Sequence, residues 1–155
     1  MQTDRPNDDY VKIAFPLSGD NGYTAETMWA IRLDDGFYVI DNSPFSAFGI
    51  SYKDVVSTKL EDGQLTFENV VRRGGHSTYR VKLNPGADHD QFLKYWPQLA
   101  LFGCTYEGAD GVRRLYSIDM PTHAAVAPAY AYLQEIEDKG AWEFEEAHYF
   151  APDRP

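Results

Sequence analysis

At 155 residues, with 43% hydrophobic and 15% aromatic content, the chain can bury one core or two small packed halves, which excludes a disordered polymer. Its 24 acidic residues against 14 basic ones leave a net charge of −10, a field that repels phosphate backbones and argues against nucleic acid as a partner. Cys104 is the only cysteine, so an intrachain disulfide and a cysteine-rich zinc site are excluded.

The start, MQTDRPNDDY, is polar and lacks the features of a signal peptide. Residues 1–9 and 151–155 read as loose ends. KIAFPL (12–17) predicts a strand, SGDNGY a turn, and ETMWAIRL–DDG–FYVIDN a hairpin around Asp34, Asp35 and Gly36. NSPFSAFGISYKD reads as a loop, because Pro44 and Gly49 break regular structure; burial is expected for its Phe45, Phe48 and Tyr52. DVVSTKL–EDG–QLTFENVV predicts a second hairpin with Val55, Leu65, Phe67 and Val70 in its core. A small bent sheet or partial barrel over residues 10–73 buries so many short strands most readily.

After Gly75 the pattern changes. HSTYRVKL predicts a strand. Asp88 or Asp90 then caps a helix through Phe92, Leu93, Tyr95 and Trp96, which Pro97 is expected to end or kink. CTYE and VRRLYSIDM predict a hairpin around GADG. Pro128 opens a helix with Ala129, Tyr132, Leu133 and Ile136 on one face, and Gly140 stops it. AWEFEE alternates Trp142 and Phe144 with Glu143 and Glu145, a half-buried strand. Residues 74–150 therefore read β-α-β-β-α-β, a ferredoxin-like half in an α+β protein. No apolar run approaches the roughly 20 residues that span a bilayer, so a cytoplasmic protein without membrane contact is expected.

RRGGHSTYRV (72–81) is the densest cluster of chemically capable residues. Neighbours in a strand point to opposite faces, so His76 and Ser77 do not form a base–nucleophile pair. The glycines lead into a strand rather than a helix N-terminus, so no phosphate cradle follows; they suit a change of direction between two sheets. His76 and Thr78 are expected to hydrogen-bond locally, and the pairs Arg72–Arg73 and Arg113–Arg114 read as solvated strand ends. The four histidines are scattered, which points to no metal, and no cofactor is expected. EIEDKGAWEFEE (135–146) sets six acids, Glu135, Glu137, Asp138, Glu143, Glu145 and Glu146, against Lys139. Gathered like charges suit a solvated face or the footprint of a basic partner.

The segments ETMWAIRLDDGFYVIDNSPFSAFGISYKDVV, VVRRGGHSTYRV, GCTYEG and GAWEFEEAHY together resemble the bacterial family of domain of unknown function 4265. By that resemblance Trp29, Asn42, Pro44 and Phe45 belong to the family's signature, with Gly75, His76, Ser77, Thr78, Tyr79 and Arg80. The resemblance implies a small standalone bacterial protein and brings no catalytic residue to carry over. By analogy, small acidic proteins of this kind serve as immunity proteins against toxins.

Three functions follow as expectations. The first is an immunity-type inhibitor that occludes a basic toxin domain, with Glu135, Glu137, Asp138, Glu143, Glu145 and Glu146 as the contact surface and Asp34 and Asp35 as a second patch. The second is a small-molecule or peptide sensor with a pocket between the halves, lined by Phe45, Arg73, His76 and Tyr79. The third is an enzyme that uses His76 beside an acidic residue brought in by folding.

Overall fold

A computed structural model describes residues 9–19, 24–108 and 114–151. The first half is five strands: β1 (Tyr10–Pro16), β2 (Ala25–Arg32), β3 (Tyr38–Ile40), β4 (Val55–Glu61) and β5 (Gln64–Arg72). Successive strands pair antiparallel, and β5 returns beside β1 in parallel at Ala14–Thr66, so the expected partial barrel is closed. Strand alternation sends Ile13, Phe15, Met28, Ala30, Ile40 and Val56 inward, each at most 2% exposed. The β4–β5 turn is two residues long, and Asp62 (φ 50°) and Gly63 (φ 77°) both hold positive φ. That is the primed geometry whose twist matches the flanking strands.

The second half runs β6 (Ser77–Leu83), α1 (His89–Leu101), β7 (Thr105–Gly108), β8 (Leu115–Met120), α2 (Val126–Asp138) and β9 (Trp142–His148). Its sheet has the order β7-β8-β6-β9, with every neighbouring pair antiparallel. Both helices contribute to one core with the sheet: Phe92 and Leu99 from α1, and Ala129, Leu133 and Ile136 from α2, meet Tyr79, Val81, Leu83, Tyr116, Ile118, Met120 and Trp142. The Asp88 side chain caps α1 by accepting from the Asp90 N–H. The turn expected at GADG lies largely outside the described residues, as does Arg113.

Pro97 does not end α1, which continues to Leu101. Leu93 and Pro97 both lie on the exposed side of the helix, where the Leu93 carbonyl, deprived of its N–H partner, has access to water. α1 closes at Phe102 and Gly103, as the glycine suggests.

The two halves do not share one hydrophobic core. The barrel cluster and the helix–sheet cluster are separate, and the sheet turns its other face, with Thr78, Arg80, Ser117 and Asp119, toward the first half's loop 42–54. Gly74 and Gly75 make the crossing. A Cβ on Gly74 would collide with the Lys53 carbonyl oxygen, so only glycine fits where the two segments pass.

Candidate functional site

Loop 42–54 contains no strand or helix, so its backbone groups need other partners. Carboxylates and two guanidiniums supply many of them. Glu26, on β2, accepts from the Phe45, Ser46 and Ala47 N–H groups at 2.7, 2.9 and 2.8 Å. Arg80, only 2% exposed, donates to the Ala47 carbonyl at 2.7 Å and the Ser46 carbonyl at 3.3 Å, while its Nε meets Glu145 at 2.7 Å. Phe48 lies over the Arg80 guanidinium at 4.6 Å. It is 64% exposed, contrary to the burial expected for this loop's aromatics, because it covers the cation with one face and meets solvent with the other.

Hydroxyl pairs complete the layer. Ser117 donates to the Pro44 carbonyl at 2.7 Å, so the Ser43 hydroxyl, 2.6 Å away, donates to Ser117. Ser51 joins Thr78 at 2.6 Å and His148 Nδ1 at 2.9 Å. Asp54, 0% exposed, accepts from the Ser51 and Gly74 N–H groups and from Arg73 at 2.9, 3.0 and 2.9 Å. His76 Nδ1 stands 2.9 Å from both oxygens of Asp119, and its ring meets Tyr52 edge-on. Thus His76 and Thr78 bond to Asp119 and Ser51, 43 and 27 residues away, rather than locally. Arg73 also donates to the Gly49 carbonyl, so it braces the junction and is not a solvated strand end.

This geometry limits the catalytic reading. His76 does acquire an acidic neighbour, Asp119, but the nearby hydroxyls are committed and enclosed. Ser51 and Thr78 are each 0% exposed, and Ser77 accepts from the Phe150 N–H. Burial, with the Asp119 charge as the lesser cause, pushes the Cys104 thiol up to about 12, which keeps it protonated and unreactive. His148 is held below the usual histidine range by burial and by the Arg73 charge, so it sits neutral in the layer.

The four residues expected to line one pocket are not gathered. Phe45 sits in the Glu26-braced loop, and Arg73 and His76 are bound to Asp54 and Asp119 on the junction side. Tyr79 points to the opposite face of β6, into the helix–sheet core, where its hydroxyl donates to Glu146 at 2.7 Å. Burial raises the Tyr79 phenol, and the Glu146 acceptor raises it further. A groove of about 300 Å³ opens beside it between α2 and β9, lined by Tyr79, Val126, Ala127, Tyr130, Glu146 and Tyr149.

The acidic residues lie on α2 and β9, which the Trp142 Nε1 bond to the Leu133 carbonyl holds in contact, but Glu143 and Glu145 project from the sheet face opposite α2 and Glu146 from the face toward it. Their carboxylates differ in what they already hold. Glu137 accepts from the Phe144 N–H at 3.0 Å, occupying an amide of the edge strand β9, and also from Gln134. Asp138 accepts from Gln134, and Glu135 meets Lys139 at 3.5 Å. Glu145 is engaged by buried Arg80. Glu143, across the strand pair from Lys82, and Glu146 are exposed. Asp34 and Asp35 lie apart at the β2–β3 turn; Asp35 is held below the carboxylate range by the Phe37 N–H and by Arg72.

Sequence reasoning missed Glu26, Asp54, Ser51 and Asp119 as junction residues, and Tyr130 and Tyr149 as groove walls. Tyr130 carried one signal: an aromatic that falls off the buried stripe of α2.

The family model for domain of unknown function 4265 matches residues 26–144, most of the chain, and the chain belongs to that family. Among curated proteins none matches. A crystal structure of a hypothetical protein from Neisseria gonorrhoeae is similar in fold, with a TM-score of 0.76 at 17% identity, covering 90% of this chain and 96% of that one.

Proposed function

We propose that this DUF4265 protein is a binding protein of the immunity type, which neutralises a basic toxin domain by occluding it. The observation that carries the reading is that Glu135, Asp138, Glu143 and Glu146, all exposed, lie on two adjoining elements at one edge of the sheet, with Glu146 on the face that packs against α2 and Glu143 on the opposite face. On a chain of net charge −10 that edge steers a cationic partner and competes for the groups with which it would hold its own anionic substrate. Glu137 and Glu145 belong to the surface, yet the edge amide and Arg80 already engage them. The reading places the protein in the bacterial cytoplasm, beside the partner it neutralises.

The sensor reading is weaker, since hydrogen-bonded side chains fill the junction where its pocket was expected. We also infer that the second half is ferredoxin-like, a reading that the antiparallel order β7-β8-β6-β9 supports.

The test is capture of the partner by the tagged protein from its native cell, followed by titration with Asp138→Lys/Glu143→Lys. The double reversal is expected to weaken binding by at least about tenfold, the equivalent of 1.4 kcal/mol. It spares Arg80 and the edge amide, so a loss cannot come from breaking the junction. An unchanged affinity would sink the proposal.

A further inference from the structure

We propose that the groove between α2 and β9 binds the side chain of a single basic residue, lysine or arginine, presented by a protein partner. The proposal rests on the partner-binding reading for its occupant and adds the site at which that partner is anchored. Tyr130 and Tyr149 are 43% and 51% exposed, unusual for large aromatic rings. They line the groove together with Glu146 and Tyr79.

The Tyr130 ring is held before any ligand arrives. Tyr130 meets Tyr79 at 5.9 Å and Phe144 at 5.5 Å, both edge-on. The Tyr79 hydroxyl engages Glu146 Oε1, which orients the carboxylate and leaves Oε2 for an incoming donor. No lysine or arginine is among the described residues that line the groove.

Charge decides the class of occupant. A cation gains from the aromatic faces and from the carboxylate together. A phosphate or carboxylate ligand would meet Glu146 with no compensating cation. A purely apolar side chain would strip water from Glu146 without replacing the lost hydrogen bonds. The groove is open at one side, so the stem of a long basic side chain can enter along the apolar wall of Val126 and Ala127 while its head reaches the carboxylate.

The probes are N-acetyl-lysine methylamide and N-acetyl-arginine methylamide, with N-acetyl-norleucine methylamide as the uncharged control. Each is titrated into the full ¹⁵N-labelled chain at low salt, and backbone amide shifts are followed. The account expects saturable shifts at Val126, Ala127, Tyr130, Glu146 and Tyr149 for a basic probe, with norleucine binding at least about fivefold more weakly. Which basic probe binds more tightly identifies the anchoring residue.

Glu146→Gln, which can still accept from Tyr79, is expected to cut basic-probe affinity by about fivefold or more. Tyr149→Ala, an exposed position, should do likewise, whereas Glu68→Gln, an exposed carboxylate on β5 away from the groove, should leave it unchanged. Equal binding of norleucine, an indifferent Glu146→Gln, or shifts confined to other surfaces would overturn the proposal. Failure here with a salt-sensitive partner still captured removes the anchor and leaves the inhibitor reading. Success here with no such partner removes the inhibitor reading and leaves the cation site.

Discussion

Asp54 concentrates the junction in one side chain. It is fully enclosed and accepts from two backbone amides and from Arg73, so all three donors lose their acceptor if it goes. Asp54→Asn places an amide donor against groups that already donate and leaves Arg73 uncompensated. We expect a loss of about 3 kcal/mol of stability, the range for breaking an enclosed ion pair from one side, read from urea unfolding. His148 gives the layer a pH dependence. Arg73, Asp54 and Glu146 are the charges acting on it, with burial and Arg73 holding its proton affinity down. Above the unfolded histidine pKa of about 6.5 both states are neutral and the group contributes nothing. As pH falls below that value, the unfolded chain takes up a proton that the folded chain resists, so stability declines until the folded pKa is passed. His148→Gln is therefore expected to flatten the fall in Tm between pH 7.5 and 5.5; a fall as steep as the parent's would remove His148 as its source.

α1 shows where an element rule meets its context. Proline removes an N–H and crowds the preceding turn, so a stop at Pro97 is the natural expectation, yet the helix runs on to Leu101 with Pro97 on its exposed side. Restoring the N–H with Pro97→Ala should raise stability by about 1–2 kcal/mol, less than the full proline penalty because the unfolded chain also gains freedom. A neutral or destabilising result in thermal melts would show that the proline ring has a packing role. β9 carries the opposite lesson. Its alternation correctly separates Trp142 and Phe144 from Glu143 and Glu145, but a register shift leaves Ala147 as an extra residue. His148 thereby shares a face with Thr78 and reaches Ser51. Hairpins at Asp-Gly turns and the helix–strand order were legible because each rests on neighbours in sequence. The bulge was not, since nothing within AWEFEEAHYF marks which residue will go unpaired.

Across the whole molecule, two apolar cores face each other through a polar layer, and this arrangement explains what sequence could not reveal. On local pattern Arg80 alternates with Val81 as a solvated arginine would, like Lys82 on its other side; only loop 42–54, folded across the sheet, encloses it. The single parallel contact that closes the barrel, Ala14–Thr66, likewise joins segments far apart in the chain. The RRGGHSTYR stretch is thus a junction: Arg73, Thr78 and Arg80 are bound to loop 42–54, and His76 to the sheet beside it. The binding surface proposed above lies instead at the outer edge of the second sheet, on α2 and β9.

That assignment is tested most directly by the salt dependence of affinity for the captured partner, compared between the parent chain and Asp138→Lys/Glu143→Lys. Affinity is expected to fall steeply as salt rises for the parent and more shallowly for the variant, because fewer opposed charges remain to be screened. Parallel salt slopes for the two proteins would contradict it.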